Sequence, residues 1–224
     1  MTPARPAKRS ARERILAAAV SRIAGEGIDG VRIARIAMDA RVSSALVHYH
    51  FASREALLAE ALEYSYTHAG DSRTAVEDLP ETSHAERLRS MIDQCLPSTP
   101  TLREDWVLWV ELWLRAVRHP ELRPIAEDLY ARLQAWFAGE IEAGVSCGEF
   151  DRCDPQGVAD LTVALIDGFG IRTLIGDSAV PLDRARRAVE AALAQQLGLG
   201  ERLLGSPREE LPQSVVRSVS RGRG

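Results

Sequence analysis

The chain has 224 residues, 46% of them hydrophobic and 27% charged, with 28 basic and 32 acidic side chains for a net charge of −4. This is the composition of a globular protein large enough for one big domain or two small ones. The charge is unevenly placed. Residues 1–50 hold nine basic side chains against four acidic ones, a net of +5, which leaves −9 for the remainder. A basic head on an acidic body points to nucleic acid or an anionic surface at one end only. The longest strongly apolar stretch, Trp106 to Leu114, is interrupted by Glu111 and falls far short of the ~20 apolar residues of a membrane span. The short run Ile15–Val20 is closely flanked by charges, so a signal peptide is not indicated. Three cysteines (Cys95, Cys147, Cys153) show no metal-binding spacing and are expected as free thiols. The expected location is cytoplasmic.

Strand signals are nearly absent and helical periodicity is strong, so the fold class is all-α. Residues 1–10 read as a basic arm in which Arg5, Lys8 and Arg9, continued by Arg12, would run along a phosphate backbone. Ile15, Leu16, Ala19, Val20 and Ile23 form one apolar stripe of a first helix, closed by Gly25 and Gly27. A short helix over about 32–40 buries Ile33, Ile36 and Ala37. A second short helix over about 43–49 follows, with Ser43 or Ser44 as its N-cap. A longer helix opens at Ser53-Arg54-Glu55 and reaches about Ala69. A polar linker spans 70–83.

Beyond it the spacing predicts helices over about 84–96, 103–118, 121–143, 155–175 and 182–197, with Pro120 and Pro124 either separating the second from the third or kinking the first turn of the third. The last residues, 198–224, lose apolar periodicity and read as a disordered tail. The layout is a helix-turn-helix head over 11–58, with the motif at about 32–51, and a helical body over 59–197.

Recognition by a helix-turn-helix needs a compact core and a second helix with short, polar outward side chains. Val42, Val47 and Phe51 supply apolar positions. Ser43, Ser44, Ala45, Leu46, His48 and Tyr49 supply small, polar and aromatic ones able to meet phosphates and base edges. His48 and His50, two apart on a helix, point to different sides and are not a metal pair.

The stretch 37–58, with Val42-Ser43, Tyr49-His50-Phe51, Ser53, Glu55 and Leu57-Leu58, resembles the TetR family of bacterial transcriptional repressors. Arg54 keeps the charge of that family's usual lysine. By this resemblance Ser43, Tyr49, His50 and Arg54 would anchor phosphates, while Ser44, Ala45, Leu46 and His48 face base edges. Four positions depart from the family pattern. Arg32 takes the place of a threonine cap, Arg41 of a turn glycine, Ala45 of a second glycine and His48 of a tyrosine. Arg32 is kept among the DNA-facing positions.

In the body, Trp106, Trp109 and Trp113 fall at i, i+3 and i+7, a stripe that serves either as core or as a pocket wall. The resemblance implies an effector pocket here, for which Trp106, Trp109, Trp113, Met91, Phe137 and Phe169 are the candidates. With Glu104, Asp105 and Glu111 nearby, a cationic amine is a candidate effector. Residues 165–174 are also similar to the betaine-biosynthesis regulators of that family, whose effector is choline. Gly168 and Gly170 inside an apolar helix call for close packing, either within one subunit or at a dimer seam. The resemblance implies a seam, with Leu161, Leu165, Gly168, Ala188 and Ala192 as candidates.

The expected protein is a homodimeric repressor that binds a palindromic operator in double-stranded DNA and is released by a small molecule. Two alternatives remain: a helical metal-dependent enzyme and an effector-free DNA-binding protein. Only Glu81 and His84 have the Glu-x-x-His spacing of a carboxylate-bridged metal bundle, and neither a P-loop nor a nucleophile elbow occurs. No catalytic residue, metal or cofactor is expected.

Overall fold

The computed structural model describes residues 10–77 and 82–200, and these form nine α-helices joined by short turns. Residues 1–9, most of the predicted basic arm, lie outside the described residues, as do 78–81 and 201–224. No helix among the described residues is long and apolar enough to cross a membrane.

The head is built by α1 (Ala11–Gly30), α2 (Ile33–Asp39) and α3 (Ser44–His50), closed by the first turns of α4 (Arg54–Glu77). A reciprocal cap starts α1. The Ser10 hydroxyl accepts from the Glu13 amide at 3.2 Å, and the Glu13 carboxylate accepts from the Ser10 amide at 2.7 Å. At Gly27, φ 68° and ψ 163° break the helical path. Of the two glycines expected to end the helix, this is the one in the left-handed half of the map. Ser43 is the N-cap of α3, its hydroxyl accepting from the Leu46 amide at 3.1 Å. Arg41 has φ 55° in the turn before it, so an arginine holds the conformation that glycine adopts without strain.

The body comprises α5 (His84–Cys95), α6 (Pro100–Arg118), α7 (Arg123–Cys147), α8 (Pro155–Leu174) and α9 (Leu182–Gln196). A 3₁₀ turn over Pro120–Leu122 bridges α6 and α7, and Pro124 sits in the first turn of α7, where its missing N–H costs nothing. Two boundaries differ from the sequence reading. The backbone of α4 continues as helix through Gly70 to Glu77, which shortens the expected linker. The chain also stays packed past residue 198, because Leu199 is buried in the body core.

Two apolar cores result. One gathers Ile15, Leu16, Ile23, Ile36, Val47 and Phe51 of the head, runs through Leu57, Leu58 and Leu62 of α4, and continues into Leu108, Leu112 and Ala116 of α6 and Leu129 of α7. The other joins α5, α7, α8 and α9 around Trp106, Phe137, Met91 and Ile92. The head's core therefore crosses the boundary drawn at residue 58 and ends inside the body.

The two glycines of α8 play different parts. A Cβ on Gly170 would lie 2.2 Å from the Trp106 ring, whereas one on Gly168 would meet nothing within 4 Å. Gly170 lets α8 close on Trp106 within one chain, so Gly170→Ala is expected to cost about 1–3 kcal/mol through overpacking. Urea unfolding reads this, and an unchanged midpoint would mean that the indole moves aside freely. Arg41→Gly is expected to stabilise by about 1 kcal/mol by relieving the left-handed strain, read as a higher thermal midpoint.

Candidate DNA-binding face and effector cavity

The outer face of α3 is open. Ser43, Ser44, Ala45, His48 and Tyr49 are exposed, Leu46 and His50 are half-buried, and Val47 points into the core. Tyr49 is 82% exposed, which removes core packing as its role. Its ring meets that of His50 edge-on at 5.3 Å. Ser43 spends a lone pair on the cap and keeps its O–H proton to donate outward. Arg54 stands in the first turn of α4, a helix opened by Ser53, whose hydroxyl accepts from the Ala56 amide at 3.0 Å. Arg32 occupies the N-cap position of α2 without a side-chain cap bond and is exposed.

Much of the head's positive charge is used internally. Arg22 of α1 binds Asp39 of α2 through two bonds, of 2.5 and 3.0 Å, and also pairs with Glu26. The Arg22 guanidinium holds the Asp39 carboxyl below the usual carboxylate range. Arg35 reaches Glu26 at 3.3 Å. Arg12, read from the sequence as part of a backbone-tracking arm, pairs with Glu60 of α4 and lies 5.5 Å from the Phe51 ring centre. It braces α1 against α4. Among the described residues Arg32 and Arg41 form no ion pair, and both are exposed.

In the body, α6, α7 and α8 line an open-mouthed, mostly apolar cavity. Trp109 and Trp113 line it from α6, Tyr130 from α7, and Ile166 and Asp167 from α8. Trp113 stacks on Tyr130 with ring centres 5.7 Å apart and planes 14° apart. The Tyr130 hydroxyl donates to Asp167 Oδ2 at 2.7 Å. Burial pushes the Asp167 carboxyl up to about 6, partly opposed by the Tyr130 bond. Tyr130 itself is pushed above the usual phenol range, first by burial and then by Asp167. The indole N–H of Trp109 is buried with no hydrogen-bond partner among the described residues.

The six candidate pocket residues divide. Trp109 and Trp113 form the wall. Trp106 is fully buried behind them, its indole donating to the Cys95 carbonyl at 2.8 Å. Met91 and Phe137 are also fully buried, and Phe169 packs half-buried against the same core. The acidic groups noted from the sequence stand elsewhere: Asp105 is buried and accepts from Ser65 at 2.7 Å, and neither Glu104 nor Glu111 lines this cavity. Sequence reasoning missed Tyr130 and Asp167, which lie 37 positions apart and meet only through the α7–α8 packing.

At the candidate seam, Leu161 is 41% exposed, Gly168 is exposed, and Leu165, Ala188 and Ala192 are half-buried. One mixed donor group, His84, Cys147 and Glu149, has its atoms within 4.8 Å of one another. Its members have structural partners: Glu149 accepts from the His84 and Ala85 amides at 2.9 Å, capping α5, and His84 bonds Glu140 at 2.6 Å.

Residues 15–61 match the model of bacterial regulatory proteins of the tetR family, and residues 84–198 match that of the C-terminal domain of BetI-type transcriptional repressors. The HTH-type transcriptional regulator BetI 1 of Chromohalobacter salexigens is 25% identical over 190 residues, 83% of this chain and 90% of that protein. A crystal structure described as a transcriptional regulator from Saccharomonospora viridis in complex with choline is 34% identical, with a TM-score of 0.72 over 80% of this chain and 93% of that one. A TetR-family regulator from Rhodococcus sp. is 30% identical, with a TM-score of 0.74 over 84% of this chain and 98% of that one. The chain belongs to the TetR family of bacterial transcriptional regulators, with a C-terminal domain of the BetI type, and is a ligand-responsive DNA-binding protein.

Proposed function

We propose that each protomer of a homodimer lays α3 in the major groove of one half of a palindromic operator, and that a small cation in the aromatic cavity releases the complex. Residues 11–58 read DNA and 59–197 bind ligand and partner. Ser44, Ala45, Leu46 and His48 face base edges, while Arg32, Ser43, Tyr49, His50 and Arg54 hold phosphates. The seam is formed by α8 and α9 through Leu161, Leu165, Gly168, Ala188 and Ala192. The open space over Gly168 supports this reading, because a helix from a second copy could approach closely there.

The effector is a small cationic amine. The stacked Trp113–Tyr130 pair and Trp109 offer ring faces that attract cations, each worth about 0.5–2 kcal/mol. The choline complex of the Saccharomonospora viridis regulator supports the same class. One observation carries the link from ligand to DNA: Leu112 and Leu129 line the cavity and also belong to the head's apolar core. A ligand that repositions α6 and α7 displaces residues packed on α1 and α4. It thereby favours a head spacing that no longer fits both half-sites.

Mobility shifts on the DNA upstream of the protein's own gene test the reading. His48→Ala is expected to reduce discrimination against single-base operator variants by about 1–3 kcal/mol. Tyr49→Phe is expected to weaken operator and bulk DNA alike, because the hydroxyl it lacks would touch only phosphate. Operator binding unaffected by either change would remove α3 as the reading helix. Added choline is expected to dissociate the wild-type complex and raise the thermal midpoint. Trp113→Ala should keep DNA binding and lose both responses.

A further inference from the structure

The cavity contains one acidic group, Asp167, and its surroundings give that group a defined task. Resting on the reading of this cavity as the effector site, we propose that Asp167 is its specificity-determining residue. Its carboxylate, oriented by the Tyr130 hydroxyl, selects a ligand with a permanent positive charge over a neutral molecule of the same shape.

Trp109, Trp113, Leu112 and Ile166 would bury a trimethylammonium and a tert-butyl group with similar contact area, since the two differ in charge and hardly in volume. Stripping water from a cation is expensive, and the aromatic faces return only part of that cost. A carboxylate on the wall returns much more, provided that it is ionised and held in place. Tyr130 does the holding. The same residue stacks on Trp113 and donates to Asp167 Oδ2 at 2.7 Å, so wall and carboxylate are fixed to each other.

No other charge competes for Asp167. Tyr130 is the one neighbouring group that acts on it from α7. From α5 the cavity receives Cys95, which is neutral as a thiol, and from α6 two indoles and a leucine. Across the α5–α9 seam, Arg89 pairs with Glu190 and Arg186 with Asp93. Among the described residues the Asp167 carboxylate therefore has a neutral hydroxyl as its only strong partner. Its ionisation near pH 6 places ligand selection inside an accessible pH range.

Calorimetric titrations with choline and with its carbon isostere dimethylbutanol, in which a quaternary carbon replaces the nitrogen, test the proposal. Wild-type protein at pH 8 is expected to prefer choline by about tenfold or more. Asp167→Asn should cut the preference for choline by about tenfold, leaving the smaller preference that the aromatic faces give, while retaining dimethylbutanol binding, which also certifies the fold. As pH falls below 6, wild-type choline affinity should drop by about tenfold per unit, following the ionised fraction. Dimethylbutanol affinity should not follow it. Tyr130→Phe removes the bond that lowers the Asp167 pKa, so it should move the choline profile to higher pH. A charge preference undiminished in Asp167→Asn, or a flat wild-type profile for choline, would overturn the proposal and leave the cavity as the effector site. Failure of both ligands to bind the wild type would overturn the cavity reading and the proposal together.

Discussion

Everything in this molecule hangs on α6 belonging to two cores at once. Leu108, Leu112 and Ala116, four residues apart in succession, complete the apolar interior of the head. Trp106, about half a turn around the helix from Leu108, is buried in the interior of the body. Trp109 and Trp113 lie between these faces and touch both cores. Interiors packed to crystal density do not deform gradually, so a shift of α6 must be shared by both sides. The aromatic cavity opens at this divide. In the proposed mechanism its position, more than its chemistry, couples it to the head, since Leu112 and Leu129 serve as cavity wall and head core simultaneously.

Charge in the head follows a similar economy. A net of +5 over residues 1–50 announces a nucleic-acid partner, yet Arg12, Arg22 and Arg35 are committed to carboxylates within the fold. The Arg22–Asp39–Glu26 cluster joins α1 to α2, and the Arg12–Glu60 pair joins α1 to α4. Exposed pairs of this kind contribute little to stability individually. Their geometry still matters, because they tie α1 to α2 and α4, the helices that precede and follow α3. The exposed face of α3, proposed above to meet DNA, is consequently dominated by hydroxyls, an imidazole and a phenol, with Arg32 exposed at the start of α2.

The helices and the recognition segment were legible because their signals are local. Caps at Ser10, Ser43, Ser83 and Thr99 stand where the sequence changes from turn residues to apolar periodicity. The Arg41 backbone adopts the left-handed conformation that its place in the turn demands. The site in the body was only half legible. A tryptophan every three or four residues marks a face but not its depth, and the same stripe holds one fully buried indole and two on a cavity wall. Gly168 and Gly170 likewise share a sequence pattern and differ in surroundings. Tyr130 and Asp167 carried no signal, since nothing along the chain pairs a tyrosine with an aspartate on the next helix.

The cavity also carries a cost that a purely structural core would have shed. An ionised Asp167 facing aromatic rings is held against its desolvation, as its raised pKa records. The sign follows directly. Between the ordinary carboxylate range and about 6, the folded state binds the proton that the unfolded state releases, so this group makes the protein less stable as pH rises through that interval. The buried Trp109 N–H, without a partner among the described residues, adds a second unmet demand beside it. A leucine and a phenylalanine would fill the same space without either penalty. A cation carrying a hydrogen-bond acceptor answers both demands, and because it binds only the folded state it converts that deficit into affinity. If the cavity is the effector site proposed above, this destabilised wall is a source of its binding energy.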